Sequence, residues 1–512
     1  MVVARVACRA QVGLEAPLVQ VEVSLGSGLP AFFIVGLPAT VVKESKERVR
    51  AALLNSHFDF PAGRITVSLA PADVPKEGGR FDLPIALGIL LASAQLRPLQ
   101  RATPTEGAVE FYGELGLAGE LKPVRGLLLA AAHAQAQGHT LIVPRGNAAE
   151  ACAVAPSRVH AAGHLLEVCA HLAGTAPLSA CASAMAAAAA PSDAQCAPQA
   201  SPDLADVRGQ LHAKRALAIA AAGAHSLLFV GPPGAGKSML AQRLPGLLPP
   251  LNKAEALEVA SIAAVSAGGF VPGRFGERPF RAPHHTTSAA ALVGGGALAR
   301  PGEISLAHQG VLFLDELPEF SCGVLEALRE PLDTGWVAVS RAALQTRYPA
   351  AFQLIAAMNP CPCGRLGDPG GSCRCTPPQV QRYLRRLSGP LLDRIDLQVE
   401  VPRLTAADFE QCEAAETSAT VAARIAAARS VQLSRQGTCN ARLSDAGVQR
   451  WCVPDGPGRQ LLDCAMQRLC FSGRVRQRLL KVARTIADLE GAAQVSAAHL
   501  AEAVGLRCSG PD

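Results

Sequence analysis

The sequence predicts an α/β protein of more than one domain, and three observations carry that prediction. At 512 residues the chain exceeds a single core, since domains average about 150 residues. Hydrophobic residues make up 49% and charged residues 18%, a balance that builds packed cores and excludes a largely disordered chain. A short apolar strand at residues 227–230 runs into a glycine loop and then a helical stretch, the order in which α/β proteins cradle phosphate.

Composition narrows the classes further. Aromatic residues are 4%, so the cores must be built from Ala, Leu and Val, and stacking successive bases on aromatic platforms is not the main binding device. Against 42 acidic residues stand 48 Lys and Arg, and the resulting +6 permits a polyanionic partner without demanding one. Residues 1–15 place Arg5 and Arg9 among short apolar pairs and lack the continuous apolar stretch of a signal peptide, so a cytoplasmic location is expected. The apolar runs 83–96 and 216–230 fall short of the ~20 residues that cross a bilayer, and no membrane partner is expected. Sixteen cysteines in such a chain point to thiols or a metal site, not to a disulfide framework.

Residues 174–202, rich in Ala, Ser, Pro and Gln, read as a linker. Before it lies a unit of residues 1–173. Val19, Val21, Val23 and Leu25 alternate as a half-buried strand, and residues 65–69 repeat the pattern. Residues 40–54 carry charges in a helical rhythm, with Val42, Val49, Ala52 and Leu53 available for one face. A turn-rich stretch, 71–80, opens onto an apolar helix near Leu83; residues 111–115 read as a strand and 124–137 as a helix.

After the linker the chemistry becomes legible. The loop Gly231, Pro232, Pro233, Gly234, Ala235, Gly236, Lys237, Ser238 follows its strand at once. Its glycines let backbone N–H groups and a helix N-terminus approach phosphate oxygens; Lys237 would reach the β and γ phosphates of ATP, and the Ser238 hydroxyl would ligate Mg²⁺. Residues 311–314 form a second apolar strand that delivers Asp315 and Glu316 to its C-terminal end, where ligands sit in open α/β sheets. Asp315 would hold Mg²⁺ and Glu316 would polarise an attacking water. A third strand, 353–358, ends at Asn359, either a water-positioning group or a turn residue before Pro360. Arg394 occupies a polar break between apolar residues; it stabilises phosphate charge across a subunit boundary, or it pairs at the surface with Asp393 or Asp396.

Cys361, Cys363, Cys373 and Cys375 form two C-x-C pairs with glycine-rich turns between them. Four thiolates suit a tetrahedral structural Zn²⁺, although C-x-C is tighter than the commoner C-x₂-C, and unliganded loop thiols are the alternative. Residues 369–392 hold Arg374, Arg382, Arg385 and Arg386 and no acid, a surface for nucleic-acid phosphates or for a neighbour's carboxylates. A second basic segment, 274–285, includes Arg278, Arg281, His284 and His285 and reads as a DNA contact; residues 336–348 read as a β-hairpin. Basic groups of this kind predict DNA binding without sequence preference.

With these motifs, together with Gly28 to Pro38, Arg278 to Ser288, Ala357 to Gly364 and Lys481 to Glu490, the chain resembles AAA+ ATPases of the magnesium-chelatase-like group. Within that group it is similar to the ComM/YifB family, bacterial helicases associated with natural transformation, over nearly its whole length. The resemblance implies an AAA+ core at 203–402, a helical C-terminal lid at 403–512 and an N-terminal α+β domain like that of Lon protease. It implies a homo-hexameric ring that moves branched or single-stranded DNA with ATP and drives branch migration, with recombination proteins as partners. Asn359 becomes the first sensor and Arg394 the finger given to a neighbouring subunit. Arg474 becomes the second sensor, with Arg476 and Arg478 close enough to leave that assignment open. A Lon-type peptidase needs a serine and a lysine; the corresponding turn, residues 77–84, has no serine, and no proteolysis is expected. Two other functions share the same core: a chelatase ATPase subunit that serves Mg²⁺ insertion into a porphyrin, and a remodeller of proteins.

Overall fold

A computed structural model describes residues 3–97, 108–181, 202–296, 299–341, 344–367, 373–404 and 416–507. The greater part of the expected linker, with its alanine run, lies outside the described residues, as do Gly370 and Gly371 of the cysteine loop. The chain divides into two compact units, Met1–Cys196 with Ala256–Phe275, and Ala197–Glu255 with Gly276–Asp512.

The first unit is built on a seven-stranded mixed sheet. Its strands are β1 (Val3–Arg9), β2 (Leu18–Gly26), β3 (Ala31–Val35), β4 (Arg64–Ala70), β5 (Val109–Phe111), β6 (Thr140–Pro144) and β7 (Val159–Ala162), in the order β3-β4-β2-β1-β5-β6-β7. Alternation decides which face is covered: Val19, Val21 and Val23 of β2 and Ile65, Val67 and Leu69 of β4 are buried against helices. The helix Thr40–Asn55 turns Val42, Val49, Ala52 and Leu53 inward, all fully buried. The apolar helix Asp82–Ala92 is buried almost all round, which explains its lack of an amphipathic rhythm. Ala260 and Ala264 of the segment Ala256–Phe275 enter the same core, although the sequence reading counts them with the phosphate-loop domain.

One expected strand is broken. Residues 111–115 do not run on as a single strand: β5 ends at Phe111, and Glu114–Leu115 pairs with Leu121–Lys122 in a separate ribbon. At the break the Gly113 backbone turns to other partners, its carbonyl accepting from Leu83 N–H and its N–H donating to Arg80 O. The strands β1, β3, β6 and β7 lacked a clear sequence signal.

The second unit holds a five-stranded, fully parallel sheet, ordered β9-β10-β11-β8-β12, made of β8 (Leu227–Val230), β9 (Phe280–Arg281), β10 (Val311–Leu314), β11 (Gln353–Met358) and β12 (Leu397–Glu400). All residues of β8, β10 and β11 are buried, as parallel strands covered on both faces require. After the sheet the chain is helical, with Ser418–Gln436, Asp445–Trp451, Gly456–Arg468, Gly473–Leu489 and Ala497–Gly505. The expected hairpin is present as Trp336–Arg341 paired antiparallel with Leu344–Pro349. Among the described residues no helix is long and apolar enough to cross a membrane.

The first unit contains a buried ion pair at its centre. Arg9, 2% exposed, donates to Glu110, fully buried, at 2.8 and 3.0 Å, and Glu110 also meets Tyr112 Oη at 2.5 Å and His139 Nδ1 at 2.7 Å. Removing one partner strands the other charge without water. Glu110→Ala is therefore expected to destabilise this unit by about 3–5 kcal/mol in denaturant titrations, while a surface pair such as Arg145–Glu167 is worth at most about 1 kcal/mol.

Candidate active site

The phosphate loop is shaped by backbone. Gly234 and Gly236 sit at φ of +79° and +93°, in the left-handed region that glycine tolerates best. At Gly231 a side chain is excluded outright, since a Cβ would lie 2.2 Å from Val401 O. The helix Lys237–Leu247 begins directly behind, so its first N–H groups face the loop. Around it a cavity of about 340 Å³ is lined by Pro233 to Met239, Asp315, Glu316, Met358 and Asn359.

Three strands converge on that cavity. Lys237 Nζ donates to Gly231 O at 2.6 Å, Pro232 O at 2.9 Å and Asn359 Oδ1 at 3.1 Å. Burial lowers the Lys237 pKa, and the nearby carboxylates Asp315 and Glu316 oppose that shift. Ser238 Oγ donates to Asp315 Oδ2 at 2.6 Å, so a hydroxyl and a carboxylate oxygen meet at the mouth of the loop, the hard-oxygen pair that suits Mg²⁺. Glu316 adopts φ of +53° and leaves its side chain 54% exposed. Burial pushes the phenol of Tyr383, which lies near the Asn359 backbone, up to about 12.

The two arginines expected from sequence stand apart from this cavity. Arg394, 7% exposed, donates through Nε to Asp333 Oδ2 at 2.9 Å and through Nη1 to Pro390 O at 2.7 Å. Its carboxylate is neither Asp393 nor Asp396, the partners that adjacency suggests. Arg474 is exposed at the start of the helix Gly473–Leu489, beside the Ser472–Asp393 hydrogen bond of 3.1 Å. Arg478, further along, donates to Arg394 O at 2.8 Å and to Asp396 Oδ1. Neither Arg394 nor Arg474 lines the chain's own nucleotide cavity.

The four cysteine sulfurs lie close together. Sγ separations are 3.4 Å for Cys361–Cys363, 3.7 Å for Cys361–Cys373 and 3.6 Å for Cys363–Cys373, and the sulfurs of all four cysteines, Cys375 included, lie within 4.8 Å of one another. A regular tetrahedron with Zn–S near 2.3 Å has sulfur edges of about 3.8 Å, so the donor set fits that ion. Backbone N–H groups of Arg374 and Arg365 lower the Cys363 thiol to about 6, whereas the neighbouring cysteine sulfurs push Cys373 and Cys375 up, so in the metal-free cluster one thiolate is favoured at the expense of the others. Gly364, at φ of +76°, packs so closely on the phosphate loop that a Cβ would lie 2.6 Å from Pro233 Cδ.

The basic segments divide. Arg374, Arg382 and Arg385 are exposed without an ion pair among the described residues, while Arg386 pairs with Glu319 at 2.7 Å. In the other segment Arg281 grips Glu303 at 2.6 and 2.7 Å, and Arg278 donates to Pro249 O and Gln309 O. Those two arginines are engaged within the fold. His285, read from sequence as part of a DNA contact, has its Nδ1 3.3 Å from Glu316 Oε2. On the hairpin, Arg347 stacks over Trp336 at 5.4 Å.

Comparison with known proteins places these features in a lineage. Residues 203–409 match the family described as magnesium chelatase, subunit ChlI; residues 21–147 match the subunit ChlI of Mg-chelatase family, and residues 415–507 match the ChlI C-terminal family. The chain is 49% identical over 509 residues to the uncharacterized protein YifB of Salmonella typhimurium, covering 99% of this chain and 97% of that protein. It is 48% identical over 508 residues to the competence protein ComM of Haemophilus influenzae, covering 99% and 98%. The magnesium-chelatase 38 kDa subunit of Rhodobacter capsulatus is 27% identical over 313 residues, which covers 57% of this chain and 82% of that subunit.

Asp396 ties the sheet to the helical region. It is 5% exposed and accepts from Ser226 N at 3.0 Å, His225 Nδ1 at 3.3 Å and Arg478. Burial works to raise its pKa, but Arg478 and then His225 hold the carboxyl well below the usual range. A carboxylate depressed in this way stabilises the fold above its unfolded value of about 4, and that stability is lost as pH falls towards the folded value. Asp396→Asn is expected to lower Tm at pH 7, with the gap to the natural chain narrowing below about pH 4 in thermal melts.

Proposed function

Because the chain belongs to the magnesium-chelatase-like AAA+ family of YifB and ComM, we propose that it is an ATP-hydrolysing DNA motor that works as a homo-hexamer. The observation that carries the ATPase reading is the convergence of Lys237, Ser238, Asp315, Glu316 and Asn359 on one cavity at the C-terminal ends of three parallel strands. Backbone N–H groups of residues 234–238 and the Lys237 ammonium hold the phosphates. Ser238 and Asp315 would hold Mg²⁺, which would supply positive charge to offset that of the phosphates. Glu316 takes a proton from the attacking water, and Asn359 orients that water while keeping Lys237 in place.

Arg394 and Arg474 have roles only in an assembly under this reading. Both lie away from the chain's own cavity; the assignment of Arg394 as the finger given to a neighbouring subunit, and of Arg474 as the second sensor, is supported by the family resemblance. In a ring Arg394 would exchange Asp333 for a neighbour's nucleotide. The DNA part of the proposal rests on near-full-length similarity to a competence protein, on the exposed Arg374, Arg382 and Arg385, and on the Arg347–Trp336 hairpin. A chelatase subunit is the weaker reading, because the chelatase relative covers 57% of this chain while YifB covers 99%. The N-terminal unit is read as Lon-like in fold and without peptidase activity: the turn 77–84 leads into the helix Asp82–Ala92 with no serine, and Asp82 is engaged by Arg48. The four cysteines are read as a structural zinc site that orders the loop after Asn359.

Two outcomes test this. Lys237→Ala and Glu316→Gln should each reduce DNA-stimulated ATPase activity at least 100-fold and abolish ATP-dependent strand exchange on a synthetic four-way junction. Hydrolysis that both variants retain would remove the site assignment; hydrolysis stimulated by a protein substrate or a chelatase partner but not by DNA would move the function to one of the other readings. Purified chain should also carry about one zinc per molecule by elemental analysis. Cys361→Ser together with Cys373→Ser should lower both zinc content and Tm.

A further inference from the structure

We infer that Asp333 is an anchor shared by two arginines: when Arg394 leaves it for a neighbouring subunit's nucleotide, Arg478 closes on the vacated carboxylate and carries the helix Gly473–Leu489 with it. The inference rests on the reading of Arg394 as a finger and deepens it, because it ties hydrolysis in one subunit to the nucleotide in the next.

The segment that holds Arg394 is gripped by that one helix. Ser472, at the helix N-terminus, donates through Oγ to Asp393 Oδ2 at 3.1 Å. Further along, Arg478 donates through Nη1 to Arg394 O at 2.8 Å and to Asp396 Oδ1. Asp333 stands outside this grip, on the short helix Arg329–Thr334. Its Oδ2 accepts from Arg394 through Nε at 2.9 Å and through Nη2, while its Oδ1 lies 4.0 Å from Arg478 Nη2. Two guanidiniums therefore face one carboxylate, the first bonded and the second a short step away.

The bonds in this group differ in how easily they part. Asp396 is 5% exposed, and breaking its bond to Arg478 would leave a buried charge uncompensated. Asp333 is 43% exposed, so water can replace a partner there at small cost. The exchangeable bond is the one between Arg394 and Asp333. Arg478 has the donors to answer its loss: Nη1 serves Arg394 O and Asp396, and Nη2 has no hydrogen bond among the described residues. It can take Asp333 without releasing Asp396, a bridge that the planar fork of arginine spans better than the point charge of lysine. While Arg394 stays, its charge offsets that of Asp333 and repels Arg478; once it leaves, Asp333 draws Arg478 unopposed. The helix thus has two positions, and the place of Arg394 selects between them.

The test follows hydrolysis by the assembled full chain as ATP is varied. The natural chain should respond sigmoidally, with a Hill coefficient above about 1.5. Asp333→Asn, which removes the anchoring charge, should bring the coefficient to about 1 while kcat stays within about threefold and Tm changes little; Asp333→Glu should restore the sigmoid. Arg478→Lys should also flatten the response, and adding it to Asp333→Asn should change the coefficient no further, as two members of one link require. Arg394→Ala should cost at least about 100-fold in kcat, which tests the finger reading separately. Suppose Arg394→Ala is inactive: a hyperbolic response of the natural chain, an Asp333→Asn variant that keeps the natural coefficient, or one as inactive as Arg394→Ala would each overturn the inference and leave the finger reading standing. If Arg394→Ala hydrolyses ATP like the natural chain, the finger reading falls and takes this inference with it.

Discussion

Parallel pairing of β8, β11 and β10 sets where every group at the nucleotide cavity stands. Val230 lies opposite Met358, and Ala356 opposite Leu314, so β8 and β11 end level and β10 ends two residues before them. The residue that follows each end is then forced to the same edge: Gly231, Asn359 and Asp315. Because all three strands are buried on both faces, a shift in register would drag apolar side chains out of the core, and the positions of Lys237, Asn359 and Asp315 inherit that stiffness. The Lys237–Asn359 and Ser238–Asp315 hydrogen bonds are consequences of strand pairing as much as of side-chain chemistry.

What was legible in the sequence was local. A strand, a glycine loop and a helix are adjacent in the chain, so Gly231 to Ser238 announce themselves, and Asp315–Glu316 follow an apolar run that needs no partner to be recognised. The fully buried face of the helix Thr40–Asn55 was readable for the same reason. What escaped depends on contacts far apart in sequence. His285 reaches Glu316 only because two short strands pair; Asp333 meets Arg394 across 61 positions, while the adjacent Asp393 and Asp396 misled. The break after Phe111 was hidden because the backbone partners of Gly113 are Arg80 and Leu83, far off in the sequence, which a local pattern does not reveal.

Charge is arranged with similar economy. Arg9 and Glu110, Arg478 and Asp396, and Arg281 and Glu303 are each absorbed within their own unit, so much of the basic content fixes elements in place. The arginines left exposed and, among the described residues, without an ion pair around the cysteines, Arg374, Arg382 and Arg385, gather where the near-neutral whole would not suggest a polyanion surface. A global charge of +6 is thus the remainder after internal pairing, and its location carries more information than its size.

The close approach of Gly364 to Pro233 bears on how this core can vary. A loop inserted after a sensor strand is ordinarily an accessory, free to be lengthened, trimmed or traded between relatives without touching the catalytic groups. Here one of its turns forms part of the outer support of the phosphate loop, and the backbone angle at Gly364 favours glycine as strongly as the space does. The cysteine loop is therefore not a detachable cassette. A descendant that discarded the four thiols would have to rebuild a supporting surface behind Pro233 from other residues, and a chimera that grafted the nucleotide motifs without the loop would leave that side of the cavity open.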